Sequence, residues 1–228
     1  MDKPGNPRRR AALRASVAAA VAALARPAAA QGRRGAPGRA PLAHSEEERR
    51  ILAVIEDVYR NHRYLSVPEE DGRLLRVLAE SSGARYAVEI GTSTGYSGLW
   101  LLLGLARTGG RLTTFEIDPG RHTLARANFE RAGLRDRVTA VLGDAHAEAP
   151  RQKEAIDLLF LDADKDGYLD YLQRLSPRVR AGGLIVAHNM ASPPPDPRYV
   201  QAVTTDSAYD TVFLNMHDAG VGLTLKKR

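Results

Sequence analysis

The chain predicts an α/β fold: a doubly wound, mostly parallel sheet of seven strands that ends in an antiparallel C-terminal hairpin. Three observations carry this expectation. From residue 86 onward, short apolar runs bounded by turn residues alternate with amphipathic stretches, the pattern of βα units around a parallel sheet. The segment 156–161 reads as a strand buried on both faces, as the inner strands of such a sheet must be. Finally, 211–215 and 221–226 flank Asp218-Ala219-Gly220, the layout of a closing hairpin.

The elements follow in order. Ser45-Glu46-Glu47-Glu48 is a capping box, after which Ile51, Leu52, Ile55 and Val58 recur at helical spacing. A second helix spans 69–81, with Leu74, Leu75 and Leu78 inward. Strands are then expected at 86–90, 111–117, 138–142, 156–161 and 184–187, the last after a Gly182-Gly183 turn. Helices are expected at 96–106, 120–132, 146–152, 168–175 and 198–205. Ligands of such sheets bind at the carboxyl ends of the strands, so residues just past each strand are the candidates for function.

Ahead of this folded domain, 44–228, stand two other regions. Residues 8–31 run from basic residues through an Ala/Val/Leu stretch to Ala28-Ala29-Ala30, the three parts of an export signal. Arg9-Arg10 gives it a twin-arginine character. Residues 1–30 therefore read as a leader to the periplasm; without export the protein would be cytoplasmic. The apolar stretch is too short to span a bilayer stably. Residues 31–43 are rich in Gly, Pro and Arg and read as a flexible linker. The formal charge of +6 resides mostly in the leader: without residues 1–30 the chain has 27 basic and 26 acidic residues. A nucleic-acid partner is therefore not expected. The absence of cysteine excludes disulfides and thiolate chemistry.

Gly91, Gly95 and Gly98 follow the first strand with the spacing G-x-x-x-G-x-x-G. A turn of this kind lets a ligand approach bare backbone at a helix N-terminus. The spacing departs from the G-x-G-x-x-G of dinucleotide sites and points to S-adenosylmethionine rather than NAD. Glu116 ends the second strand 25 residues later, placed either to accept ribose hydroxyls or as a plain carboxylate before the Asp118-Pro119 helix start. Asp144 after the third strand is a partner for an adenine amino group or an N-cap. Asp162, Asp164 and Lys165 break off the apolar fourth strand. They can hold a divalent cation and a base together, or form a solvated loop with a salt bridge. His188-Asn189 follows the fifth strand and can join Asp162 in one metal site, or be an ordinary loop pair.

Four motifs in this order, VEIGTSTGYS, TFEIDP, LDADKDGY and GGLIVAHN, resemble the class I S-adenosylmethionine-dependent O-methyltransferases. The nearest branch is the metal-dependent catechol and caffeoyl-coenzyme A group, and the resemblance covers about residues 65–228. It implies the Rossmann-like methyltransferase fold. It also implies that Glu89, Gly91 and Ser97 surround the methionine part of the cofactor and Glu116 its ribose. Asp144, Ala145 and His146 would lie near the adenine, Val67 at the entrance, and Asp162 beside the cofactor. Asp162, His188 and Asn189 match the family's metal ligands, and Lys165 its catalytic base. The acceptor would be a small-molecule hydroxyl, and a homodimer would be ordinary for the family. His188 stands where the family usually has Asp. Imidazole in place of carboxylate disfavours magnesium and favours manganese or another transition metal, or leaves no metal at all. Two other readings compete: an S-adenosylmethionine-binding protein without catalysis, and an NAD-dependent oxidoreductase on a similar sheet.

Overall fold

The computed structural model describes residues 41–216 and 219–227. The expected leader and nearly all of the expected linker lie outside these residues. Two helices come first, α1 (Glu46–Asn61) and α2 (Glu69–Ser81). The alternating part runs β1 (Tyr86–Ile90), α3 (Tyr96–Thr108), β2 (Arg111–Glu116), α4 (Pro119–Arg131), β3 (Val138–Leu142) and the single turn α5 (Ala145–Glu148). It continues with β4 (Ile156–Leu161), α6 (Tyr168–Leu175), β5 (Val179–His188) and α7 (Pro197–Thr205), then β6 (Tyr209–Leu214) and β7 (Val221–Lys226).

Seven strands form one sheet in the order β3-β2-β1-β4-β5-β7-β6. The first five are parallel, and β7 pairs antiparallel with both β5 and β6. The chain winds outward from β1 to β3, then restarts beside β1 with β4 and winds the other way. The β1/β4 boundary is thus the switch point, where a crevice opens at the carboxyl ends of the strands.

Helices cover both faces. On one side Ile51, Leu75, Leu103 and Phe129, from α1 through α4, pack with Ala87, Leu158 and Phe160 of the sheet. On the other, Tyr168, Leu172, Tyr199 and Val203 pack with Val88, Ile90, Leu159 and Leu161. Neighbouring residues of β1 and β4 thus serve opposite cores, as the two-residue period of a strand requires. Helix α3 is buried from Tyr96 to Leu105 on every side, which explains its lack of a polar face. It lies between the sheet and the α1/α2 layer.

Several boundaries differ from expectation: the helix expected at 146–152 is the single turn Ala145–Glu148, and the strand expected at 211–215 is Tyr209–Leu214. Two further differences lie in the parallel strands. Strand β5 begins at Val179, not at 184, because Val179 pairs with Ile156 before the ladder shifts register and resumes at Leu158–Leu184; Gly182-Gly183 is absorbed inside the strand. Strand β2 stops at Glu116, where the Gly143 N–H donates to the Glu116 carbonyl; Ile117 turns out and is 66 % exposed.

Candidate active site

The glycine turn after β1 does two jobs. Gly91 has φ +100°, and a Cβ there would run into the Asp162 carbonyl oxygen. The Asp162 N–H in turn donates to the Ile90 carbonyl at 2.9 Å. Gly91 therefore lets the ends of β1 and β4 touch, which fixes Asp162 at the switch point. A Cβ on Gly98 would crowd Glu89 Oε2 and the Phe129 ring. That glycine serves the packing of α3 against α4 and β1, so part of the glycine pattern is structural.

A cavity of about 920 Å³ opens at the strand ends. Gly91, Glu116, Asp144, Ala145, His146 and Asp162 line it, as do Lys165, His188 and Asn189. Three predicted residues do not. Val67 is buried beside the rim residue Pro68. Glu89 and Ser97 face each other behind the turn: Ser97 Oγ donates to Glu89 Oε1 at 2.6 Å, and Thr114 Oγ1 to Oε2 at 2.6 Å. Complete burial, outweighing those two hydroxyls, pushes the Glu89 carboxyl up to about 7. Pro193, in the loop between β5 and α7, lines the cavity, whereas Trp100, Tyr168 and Tyr199 are core residues.

Glu116 is nearly buried yet reaches the cavity. Its Oε2 accepts from the Ser93 N–H at 2.7 Å; its Oε1 accepts from the Asp118 N–H at 2.9 Å and Arg121 Nη2 at 2.9 Å. Asp144 caps α5 through the His146 N–H at 2.9 Å, as its N-cap reading expects, and it also lines the cavity. The His146 ring stacks on Tyr171 at 4.2 Å. Its Nδ1 is 2.6 Å from Asp170 Oδ2, and Tyr171 Oη donates to Asp164 Oδ1 at 2.7 Å. The α1–α2 loop supplies the opposite wall through Arg63, Leu65 and Ser66, tied down by the Ser93 hydroxyl on the Tyr64 carbonyl.

At the base of the cavity Lys165 Nζ donates to Asp162 Oδ1 at 2.8 Å and Tyr168 Oη at 2.9 Å. The Tyr168 hydroxyl lies 2.9 Å from the Leu161 carbonyl and 3.0 Å from that of His188, so one buried phenol ties Lys165 to the ends of β4 and β5.

The expected metal ligands do come together, but as an ion-pair cluster. His188 Nδ1 lies 3.0 Å from Asn189 Oδ1 and 3.3 Å from Asp162 Oδ1. Asn189 Nδ2 donates to the Ser192 carbonyl at 2.8 Å, which fixes its oxygen toward the ring. On the far side His188 Nε2 lies 3.0 Å from Asp71 Oδ2. Both ring nitrogens thus face acceptor oxygens, the arrangement of an imidazolium donating twice. Burial opposes the charge, but the hydrogen bonds to Asp162 and Asp71 prevail and raise His188 to about 9. Two carboxylates, Asp71 and Asp162, are balanced by His188 and Lys165. One carboxylate already paired with lysine, one doubly donating imidazole and one amide make a poor donor set for a divalent cation. Among the described residues no group of three or more His, Asp or Glu could hold one. The metal site expected at Asp162, His188 and Asn189 is therefore not supported by the residues present.

Asp71, Arg121 and Tyr171 escaped the sequence reading. Asp71 sits in an acidic first helical turn, which is ordinary helix chemistry. Arg121 lies one helical turn past Asp118 and Tyr171 two turns past Asp164, and that spacing was the available signal.

A doubly wound sheet with a glycine turn and acids at successive strand ends defines a class of α/β domains that bind nucleoside cofactors. Residues 43–192 match the family described as O-methyltransferase, and the chain belongs to that family. It is 38 % identical over 130 residues to a catechol O-methyltransferase of Niastella koreensis, which is 55 % of this chain and 58 % of that protein. It is 39 % identical over 127 residues to a catechol O-methyltransferase of Mycobacterium tuberculosis, covering 55 % and 57 %. The chain thus spans under three-fifths of these relatives. Among solved structures it is similar to the O-methyltransferase from Bacillus cereus in complex with SAH: TM-score 0.67 and 27 % identity, covering 82 % of this chain and 93 % of that one.

Proposed function

We propose that this chain is an S-adenosylmethionine-dependent O-methyltransferase acting on a small aromatic, catechol-like hydroxyl. The observation that carries the reading is the convergence of Gly91, Glu116, Asp144, Asp162 and Lys165 on one cavity at the switch point, in a chain of the O-methyltransferase family. A cavity of about 920 Å³ is at the upper end of the usual range for small-molecule sites, with room for a nucleoside cofactor and a small acceptor. The relatives named catechol O-methyltransferase support the acceptor class.

In this reading Glu116 accepts the ribose hydroxyls, and Asp144, Ala145 and His146 border the adenine. The bare backbone at Gly91 admits the methionine end, while Glu89 and Ser97 hold the turn from behind. The acceptor oxygen attacks the methyl carbon in line: the C–O bond forms as the C–S bond breaks, and the sulfonium becomes a neutral thioether. At rest Lys165 is the ammonium paired with Asp162; once it has released a proton to solvent through the cavity it takes the hydroxyl proton as the amine, and Asp162 stabilises the ammonium that re-forms. The protein's main contribution is alignment of oxygen, carbon and sulfur.

The test supplies S-adenosylmethionine carrying a labelled methyl group to the protein with catechol and related phenols. Label on a phenol oxygen is the expected result. Tight cofactor binding without transfer to any phenol would favour the noncatalytic reading.

A further inference from the structure

We propose that this protein works without a divalent metal, its own Asp71–His188 pair standing at the place where the family resemblance implies a cation. The inference rests on the methyltransferase reading above and extends it to the charge balance of the site.

The key residue is Asp71, which comes from α2 rather than from any strand end. It is buried, 2 % exposed. Among the described residues its Oδ2 meets His188 Nε2, and its Oδ1 has no partner. Asp71 can only accept, so it holds His188 Nε2 as a donor. The opposite edge of the ring faces the oxygens of Asn189 and Asp162, and the former cannot turn away while its amide nitrogen is held by the Ser192 carbonyl. Lys165 meets the same Asp162 oxygen. The cluster is closed: each negative group has a positive partner from the chain, and the imidazole offers no lone pair toward the cavity. A dication here would face a lysine and a histidine cation with one shared carboxylate between them.

The positive edge that results borders the place where the acceptor oxygen loses its proton. There it serves the electrostatic part of a metal's work, stabilising a developing oxyanion, without the Lewis-acid part. Asp71 does not line the cavity and acts through His188, as a positioning residue.

The experiment titrates the purified protein with Mn²⁺, followed by electron paramagnetic resonance, and with Zn²⁺, followed by calorimetry. Neither readout depends on turnover, so the result stands apart from any failure to find the acceptor. S-adenosylhomocysteine binding, measured alongside, reports on the methyltransferase reading itself. The proposal expects no stoichiometric binding of either ion and methyl transfer unaffected by EDTA. It further expects that the double variant Asp71→Asn/His188→Asp, which restores a carboxylate facing the cavity and removes the buried charge behind it, binds Mn²⁺ about 10- to 100-fold more tightly than the parent. Its fold is checked by S-adenosylhomocysteine binding, and His188→Asp alone is the substitute if it fails to fold. Stoichiometric Mn²⁺ or Zn²⁺ in the parent protein, or activity lost in EDTA and recovered with metal, overturns the proposal. So does a folded variant that binds Mn²⁺ no better than the parent.

Discussion

At the level of single residues, the proposed mechanism places the proton transfer on Lys165. Its amine lies between Asp162 and Tyr168 at the mouth of β4, and the cofactor is expected to touch other parts of the cavity. Lys165→Ala should therefore lower kcat by about 10²- to 10⁴-fold and leave S-adenosylhomocysteine affinity within a few-fold. Loss of affinity with kcat retained would remove Lys165 from proton transfer. Glu89 makes a different prediction. Its carboxyl is raised from 4.5 to about 7 by burial, so the folded state holds the proton more tightly than the unfolded chain. The stability this supplies is complete below about 4.5 and is lost as the pH rises through about 7. Glu89→Gln does not titrate, so the variant should gain on the parent between pH 5 and pH 8, by a few kcal/mol. Melting curves of both proteins across that range check this, and a constant difference would contradict it. Of the individual site residues, those directly after strands were legible in the sequence. Asp71 was not, because nothing in an acidic helix start marks which carboxylate will meet a histidine 117 positions away.

Among the elements, the junction of α2 and α3 lies next to Asp71, which meets the His188 edge of the site. A Cβ on Gly72 would run into the Trp100 indole, and Gly72 follows Asp71 in the same helical turn. Gly72→Ala sets two effects against each other. Helix propensity favours alanine by up to about 1 kcal/mol, whereas forcing a methyl into a filled core costs about 1–3 kcal/mol. The indole is almost wholly buried and has little room to yield, so the variant should be less stable by about 1–2 kcal/mol, read from its denaturant midpoint at unchanged slope. A stabilised variant would mean that the α2–α3 contact is loose. The elements themselves were largely legible, because apolar runs and capping residues are local signals; α2 and α6 have the expected limits. The extension of β5 back to Val179 was hidden. Its Gly182-Gly183 pair looks like a turn, and only the shifted pairing with Ile156 keeps it in the sheet.

For the whole molecule, the architecture follows from where the chain reverses its winding. Once β1 and β4 are neighbours, the motifs after five strands converge on one crevice, although they are spread from Gly91 to Asn189 in sequence. That convergence was predictable because strand order and ligand position are linked in parallel sheets. The closure of charge around His188 was not, since it needs the helix that precedes the sheet. In the proposed reading α2 belongs to the functional unit, through the contact of Asp71 with His188. The most direct test of the central claim is calorimetric titration of the whole protein with S-adenosylhomocysteine, with NADH as the competing nucleoside cofactor. The account predicts one S-adenosylhomocysteine bound per chain, weakened by Glu116→Ala, and no NADH binding. Binding of NADH in the same cavity, with no heat from S-adenosylhomocysteine, would contradict it.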